Sequence, residues 1–382
     1  MLLSFRPITP LLQLRVGAVS RAIWLSGVRA RTRLLHASSA PQYQEEPQDE
    51  YRPGGFHPME PGEIVHDDYK VMRKLGWGEY SMVWLAKSAL RGHVALKVMK
   101  AEVTDIPELH ESEYLHRVLT ADPSHPGFRH NLHLLDQFYI CGPNGRHLCF
   151  VTELLGENLH QYANRFPQRR IPMAIVKSIL RQVILATMYL HDKCKIIHTD
   201  IKNTNILLAH SIPGSGEVLS SPTVKLIDLG VSCWADRVEE HFSDLIQSPE
   251  LRAPEVAVGA GWGKPADVWS LGCLAYELAM GKFMMQKCIE DICVPYFHAA
   301  YFGPHPPSLK SGKFRDVFFK EDGSLKHTFP HQFHLATRIR RCLPQNMDTE
   351  GLIHFLDLIL CLDPRDRASL QTLMEHPWLS ST

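Results

Sequence analysis

Two unequal parts, a small antiparallel β-sheet with one helix and a larger, mostly helical region, make up the α+β fold that this sequence predicts. Three observations lead there. Short apolar or β-branched runs at 71–75, 83–88 and 94–99 are separated by glycine-containing turns, the pattern of an antiparallel meander. Beyond residue 153, the stretches 172–193, 265–281 and 349–361 have helical length and periodicity. With 382 residues, 45% of them hydrophobic and 21% charged, the chain is long and apolar enough to bury a real core in one two-lobed unit or two domains.

The elements follow in order. Residues 1–40 read as a transit-peptide-like basic segment. Up to residue 44 there is no acid, yet Arg6, Arg15, Arg21, Arg29, Arg31 and Arg33 are spread among apolar residues, with serines following. The expected address is mitochondrial, the alternative cytoplasm and nucleus. Residues 41–62, rich in Pro, Gln, Glu and Gly, read as a linker. The first lobe is expected over 63–153, with a helix at 105–120 and a buried strand at 148–152, and the second lobe over 154–380. No apolar run is read as membrane-spanning, because Lys177 and Arg181 interrupt the best one, 173–190. The 41 Lys+Arg balance 41 Asp+Glu, so nothing global argues for direct contact with nucleic acid. The nine cysteines form no C-x-x-C pair, which argues against a zinc site or a disulfide frame.

Chemistry is written along this frame. Gly76-Trp77-Gly78-Glu79-Tyr80-Ser81 places two glycines at a strand-to-strand turn, where backbone N–H groups can approach phosphate oxygens. Taken alone, a plain turn is the simpler reading. Lys97 lies inside the apolar strand Val94-Ala95-Leu96-Lys97-Val98, so it needs an anionic partner, and the following helix offers Glu111 or Glu113. His198-Thr199-Asp200-Ile201-Lys202-Asn203-Thr204-Asn205 gathers a proton acceptor, a cation and a metal-ligand amide on one short loop. Val224-Lys225-Leu226-Ile227-Asp228-Leu229-Gly230 is a buried strand ending in a hard-oxygen ligand and a glycine that permits a sharp turn.

Residues 64–380 resemble a eukaryotic protein kinase domain, with the bilobal kinase fold that this implies. Within that superfamily the chain is most similar to the SR-protein-specific kinases and their fungal relatives. The likeness is carried by Tyr51-Arg52-Pro53-Gly54-Gly55-Phe56-His57, Arg73-Lys74-Leu75-Gly76-Trp77-Gly78, the His198 and Asp228 stretches, Pro265-Ala266-Asp267-Val268-Trp269-Ser270 and His376-Pro377-Trp378-Leu379. The resemblance implies ATP and Mg²⁺ as cofactors and transfer of the γ-phosphate to Ser/Thr hydroxyls of protein substrates. Gly76, Gly78 and Ser81 would cover the phosphates, and Val83 and Ala95 would pack on adenine. Lys97 would hold the phosphates, locked by Glu111, the choice that places Leu115 one turn on. Backbone groups of Glu153 and Leu155 would pair with the adenine edge beyond Thr152, with Leu207 beneath. Asp200 would orient the substrate hydroxyl, Lys202 would balance charge, and Asn205 with Asp228 would bind the metal. Glu255 of Ala253-Pro254-Glu255 would pair with Arg367, and Asp267 would anchor the catalytic loop. Ser248 sits where Ser/Thr kinases place a hydroxyl facing the catalytic Asp and Lys.

Departures from the family pattern sharpen the expectations. Thr199 stands where most kinases carry the Arg that pairs with an activation-loop phosphate, so constitutive activity is expected. No long spacer separates the lobes. Residues 282–312 do not match the acidic region with which the SR-protein kinases bind Arg-Ser repeats, so an Arg/Ser-rich substrate is the implied but open class. A monomer is expected. The rivals are a pseudokinase or ATP-binding scaffold, disfavoured by the presence of Lys97, Asp200 and Asp228, and a small-molecule phosphotransferase, disfavoured by Ala253-Pro254-Glu255.

Overall fold

Alternating buried and exposed side chains fold the first part of the chain into strands. The computed structural model describes residues 45–106, 110–209, 221–237, 241, 243–286, 291–329 and 332–380. The basic segment 1–40 therefore lies outside the described residues. The strands β1 (Ile64–Val65), β2 (Tyr69–Trp77), β3 (Ser81–Ser88) and β4 (Gly92–Met99) lead to helices α1 (Ala101–Thr104) and α2 (Glu111–Thr120), then to β5 (Leu134–Gly142) and β6 (Gly145–Glu153). They form an antiparallel sheet in the order β1-β2-β3-β4-β6-β5. Its register sets Val83 and Phe150 on either side of Lys97, and Thr152 beside Ala95. A register shift between Lys74 and Gly76 bends β2 where the glycine turn begins.

Three readings of this part need correction. Strand β5 went unread: its Asp136 and Gln137 break the apolar pattern, because only Leu134 and Phe138 of this strand are buried. Of the helix predicted at 105–120 the structure keeps α2 at Glu111–Thr120, while the separate short α1, Ala101–Thr104, precedes the predicted range. The described part of the segment read as a linker, 45–62, is not a free tether. Phe56 and Met59 are buried in the same cluster as Val71, Trp84, Leu96 and Val151 of the sheet.

The second part is mostly helical. It comprises α3 (Leu159–Ala163), α4 (Met173–Met188), the two-stranded pieces β7 (Ile196–Ile197), β8 (Ile206–Leu208), β9 (Val224–Leu226) and β10 (Cys233–Trp234), then α5 (Pro254–Val258), α6 (Pro265–Met280), α7 (Val294–Phe302), α8 (Arg315–Phe318), α9 (Leu335–Cys342), α10 (Met347–Ile359), α11 (Leu370–Met374) and α12 (Pro377–Ser380). Helix α6 is apolar all round and buried along its whole length after Pro265, the signature of a central core helix. By length and composition the stretch Met173–Cys194, α4 with its wider last turns, could cross a membrane, contrary to the sequence reading. Here its apolar side chains Ile175, Ile179, Leu180, Val183 and Ile184 belong to the lobe's core. Its Lys177 is buried there and pairs with Asp348, which accommodates the charge within the protein. Pairing of β8 with β9, and of β7 with β10, brings the catalytic stretch and the Asp228 strand side by side. The two parts together have the two-lobed arrangement that the resemblance implies.

Candidate active site

Pairing with Phe150 and Val83 places Lys97 mid-sheet, and its ammonium needs partners there. The structure supplies two: Glu111 Oε1 at 2.6 Å and Asp228 Oδ1 at 3.2 Å. Burial works against the charge, but the two carboxylates outweigh it and hold the Lys97 pKa above its ordinary value. The Lys97 charge in turn holds Asp228 below the usual carboxylate range. Glu113, the other acid in reach by sequence, instead meets His110 on the outer surface of α2. Gly230 passes close to this knot: a Cβ there would lie 3.3 Å from both Asp228 Oδ1 and Glu111 Oε2.

The glycine turn closes through Gly78 N–H donating to Ser81 O at 2.8 Å, and its tip is held by Lys100 N–H donating to Tyr80 O at 2.8 Å. At Gly76 and Gly78 a Cβ would meet no protein atom within 4 Å. Packing within the protein therefore does not demand these glycines; they leave open the space over the turn. Ala95 and Val83 lie on neighbouring strands, while Leu207 on β8 sits opposite Lys225 on β9. The Glu153 carboxylate is turned to its own neighbours, Oε1 accepting from Lys225 Nζ at 2.6 Å and from His133 N–H at 3.1 Å. Leu155 follows, buried.

The catalytic loop is held from below by one residue. Asp267, on α6 and fully buried, accepts His198 N–H and Thr199 N–H at 2.8 Å each and contacts His191 Nε2 at 2.8 Å. Burial would raise the Asp267 pKa, but these hydrogen bonds prevail and hold it low. Above this anchor Lys202 Nζ lies 2.7 Å from Asp200 Oδ2, and Asn205 Nδ2 donates to the same oxygen at 2.9 Å. With its amide N–H₂ so used, Asn205 keeps its oxygen for another partner. Two residues here take left-handed backbone, Thr199 and Asp228, each at φ 67°, a conformation that non-glycine residues adopt mainly where function or packing requires it. The Thr199 hydroxyl donates to Val231 O at 2.6 Å, tying the loop to the start of the activation segment.

The described end of that segment, residues 243–255, is held by its own side chains. Gln247, itself at φ 66°, bonds Ala266 O, Ser270 Oγ and Ala253 N–H at 2.8–2.9 Å. Arg252 is buried, donates to Ile246 O and Gln247 O, and pairs with Asp291. Glu255 and Arg367 form a two-pronged pair at 2.7 and 2.5 Å with both side chains 1% exposed. Ser248 lies buried just ahead of the turn Pro249–Leu251.

One residue beside the site was missed by sequence reasoning. Glu277 on α6 is buried, accepts Asn203 Nδ2 at 2.6 Å on one oxygen, and has no hydrogen-bond partner on the other among the described residues. Burial pushes its pKa up to about 8. Its place ten residues after Asp267 on a buried helix was the available signal. Gln247 and Arg252 were also missed.

The sequence pattern of the protein kinase domain matches residues 69–379. The chain is a protein kinase. Among curated relatives it is 30% identical to a serine/threonine-protein kinase SRPK of Physarum polycephalum, over 88% of this chain and 92% of that one. It is 27% identical to protein kinase dsk1 of Schizosaccharomyces pombe (88% and 85% covered) and 27% identical to human SRSF protein kinase 3 (88% and 90% covered). It thus belongs to the SRPK-like serine/threonine protein kinases, and this membership carries with it ATP, a divalent metal ion and a protein substrate.

Proposed function

We propose that this kinase transfers the γ-phosphate of ATP to serine or threonine in Arg/Ser-rich proteins, that its metal is Mg²⁺, and that it works without prior phosphorylation. The observation that carries the catalytic reading is the pairing of Lys97 with both Glu111 and Asp228, beside an Asp200–Lys202–Asn205 cluster. These residues fit the cofactors: Asp228 and Asn205 would hold the metal through hard oxygens, Lys97 would bind phosphate oxygens, and the open space over Gly76 and Gly78, in the turn that Ser81 closes, would accept the phosphates. Val83, Ala95 and Leu207 would enclose the adenine, with backbone groups of Glu153 and Leu155 at its edge. When bound, nucleotide and metal supply the phosphoryl group and neutralise charge on its oxygens. The protein's share is positioning and electrostatics. Asp200 orients the incoming hydroxyl and accepts its proton, while Lys202, already paired with Asp200, is placed to balance charge developing beside it.

Support for an arginine-containing substrate comes from two sides. A relative carries the name SRSF protein kinase. The unsatisfied Glu277 oxygen beside the catalytic loop is the kind of buried group that a guanidinium would complete, displacing a proton as it docks. Readiness without phosphorylation is supported by Thr199, which offers no cation to a phosphate, and by the Gln247 and Arg252 contacts within the segment. The test uses purified full chain, radiolabelled ATP, and peptides with Ser flanked by Arg, Lys or Glu. Preferential labelling of the Arg series, abolished by Asp200→Asn and reduced by Glu277→Gln chiefly through KM, is expected. Equal labelling of the Glu series would defeat the substrate class.

The compositional case for mitochondrial import of residues 1–40 also stands as a proposal, with cytoplasm and nucleus as the alternative.

A further inference from the structure

Ahead of the matched domain, residues 46–59 run along the first lobe as a strap. Phe56 is 1% exposed, and the path is fixed by close approaches: a Cβ on Gly55 would fall 1.9 Å from Glu50 O, and one on Gly142 would fall 2.4 Å from the His57 ring. What the strap grips is the stretch that leaves β4. Glu50 pairs with Lys100 at 2.9 Å, and the Lys100 ammonium also lies over the Phe56 ring, 4.6 Å from its centre. Arg52 pairs with Glu102 at 3.1 Å. Main chain joins main chain as well: Ala101 N–H donates to Gly55 O at 3.2 Å and Glu102 N–H to Gly54 O at 2.7 Å. On the far side Gly54 N–H donates to Asn144 O at 2.7 Å, and Asn144 Nδ2 donates to Phe56 O at 2.6 Å, tying the strap to the β5–β6 turn.

The stretch 100–102 lies three to five residues after Lys97 on the path to the helix that carries Glu111. We infer that residues 46–59 are a cis-acting positioning element for the Lys97–Glu111 pair, and that Glu50 and Arg52 are positioning residues which keep α2 docked. This rests on the catalytic reading of Lys97 and Glu111. It also supplies what Thr199 withholds: without a phosphate to organise the lobes, the helix must be held by something already in the chain.

The test compares full-length wild type with the Glu50→Gln/Arg52→Gln double variant, which severs both ion pairs while keeping side-chain bulk. Arg52 and Glu102 are both exposed, so their loss alone is expected to move Tm little. Misplacement of Glu111 is expected to lower kcat by roughly tenfold while KM for a peptide substrate stays put. Hydrogen exchange at residues 111–120 is expected to quicken while that at 198–205 does not, and a Glu50→Asp/Arg52→Lys variant is expected to recover most of the rate. Unchanged exchange in 111–120, or a kcat that falls only in proportion to unfolded protein, would overturn the inference. The exchange readout does not depend on activity. An inactive wild type would therefore defeat the catalytic reading, while the strap would still be judged by exchange.

Discussion

Lys97, Asp200 and Asp228 each bring a charge to one small volume, and each does so from a different element. Lys97→Met, Asp200→Asn and Asp228→Asn are therefore expected to lower phosphotransfer by roughly 10³-fold or more while the circular dichroism spectrum stays that of the folded protein. Near-native turnover of the Asp228 variant with Mg²⁺ would contradict the assignment. Arg367 belongs to the framework instead. Its pairing with Glu255 is buried on both sides, so Arg367→Met strands a carboxylate and should cost about 3–5 kcal/mol in urea denaturation. Most of this was legible, because charged residues at fixed spacing in apolar surroundings announce themselves. Glu111 over Glu113 rested on helix periodicity together with the family resemblance, and the ion pair with Lys97 decides it. Glu277 was not legible: a glutamate in an apolar helix has many readings until its second oxygen is seen to lack a partner.

Among the elements, those with strong apolar periodicity were easy to read and those that borrow their order from neighbours were not. Strand β5 buries only Leu134 and Phe138, too few positions for alternation to show. The strap at 46–59 is composed of turn-forming residues, and its order comes from Lys100, Asn144 and the sheet core, none of which is near it in sequence. The activation segment is the same case, since Gln247 and Arg252 act through contacts with α6 and Asp291. A consequence can be measured there. Phosphatase treatment should leave kcat unchanged, whereas Gln247→Ala, which removes three bonds at once, should reduce it. A large loss on dephosphorylation, restored by phosphorylation of Ser243 or Ser248, would show the segment to be under phosphate control.

At the scale of the whole molecule, buried histidines set the response to acid. His298 and His305 lie within the larger lobe, and His57 of the strap packs edge to face on His147 of β6. Burial lowers all four pKa values, His305 to about 4. The unfolded chain then binds protons that the folded chain refuses, so stability should fall as pH drops below about 6.5, the ordinary histidine value, and keep falling toward pH 4. Urea midpoints measured across that range check this; a flat profile would mean that the rings are accessible. Location is a second whole-chain property. Residues 1–40 fused to a fluorescent protein are expected to reach mitochondria, with cleavage near 35–39, since each arginine gains about 2 kcal/mol per 100 mV of membrane potential. Diffuse cytosolic or nuclear signal would refute import and leave the catalysis untouched.

The contacts of Gln247, Arg252 and Thr199 bear finally on how such an enzyme is governed. On the proposed reading the described part of the segment is held by its own side chains rather than by a phosphate. The proposed kinase would be at work as soon as it folds, and the cell would regulate its output through dose and access: how much is made, how fast it is degraded, and which substrates share its compartment. Halving its copy number should then halve the labelling of its targets, with no upstream signal able to compensate.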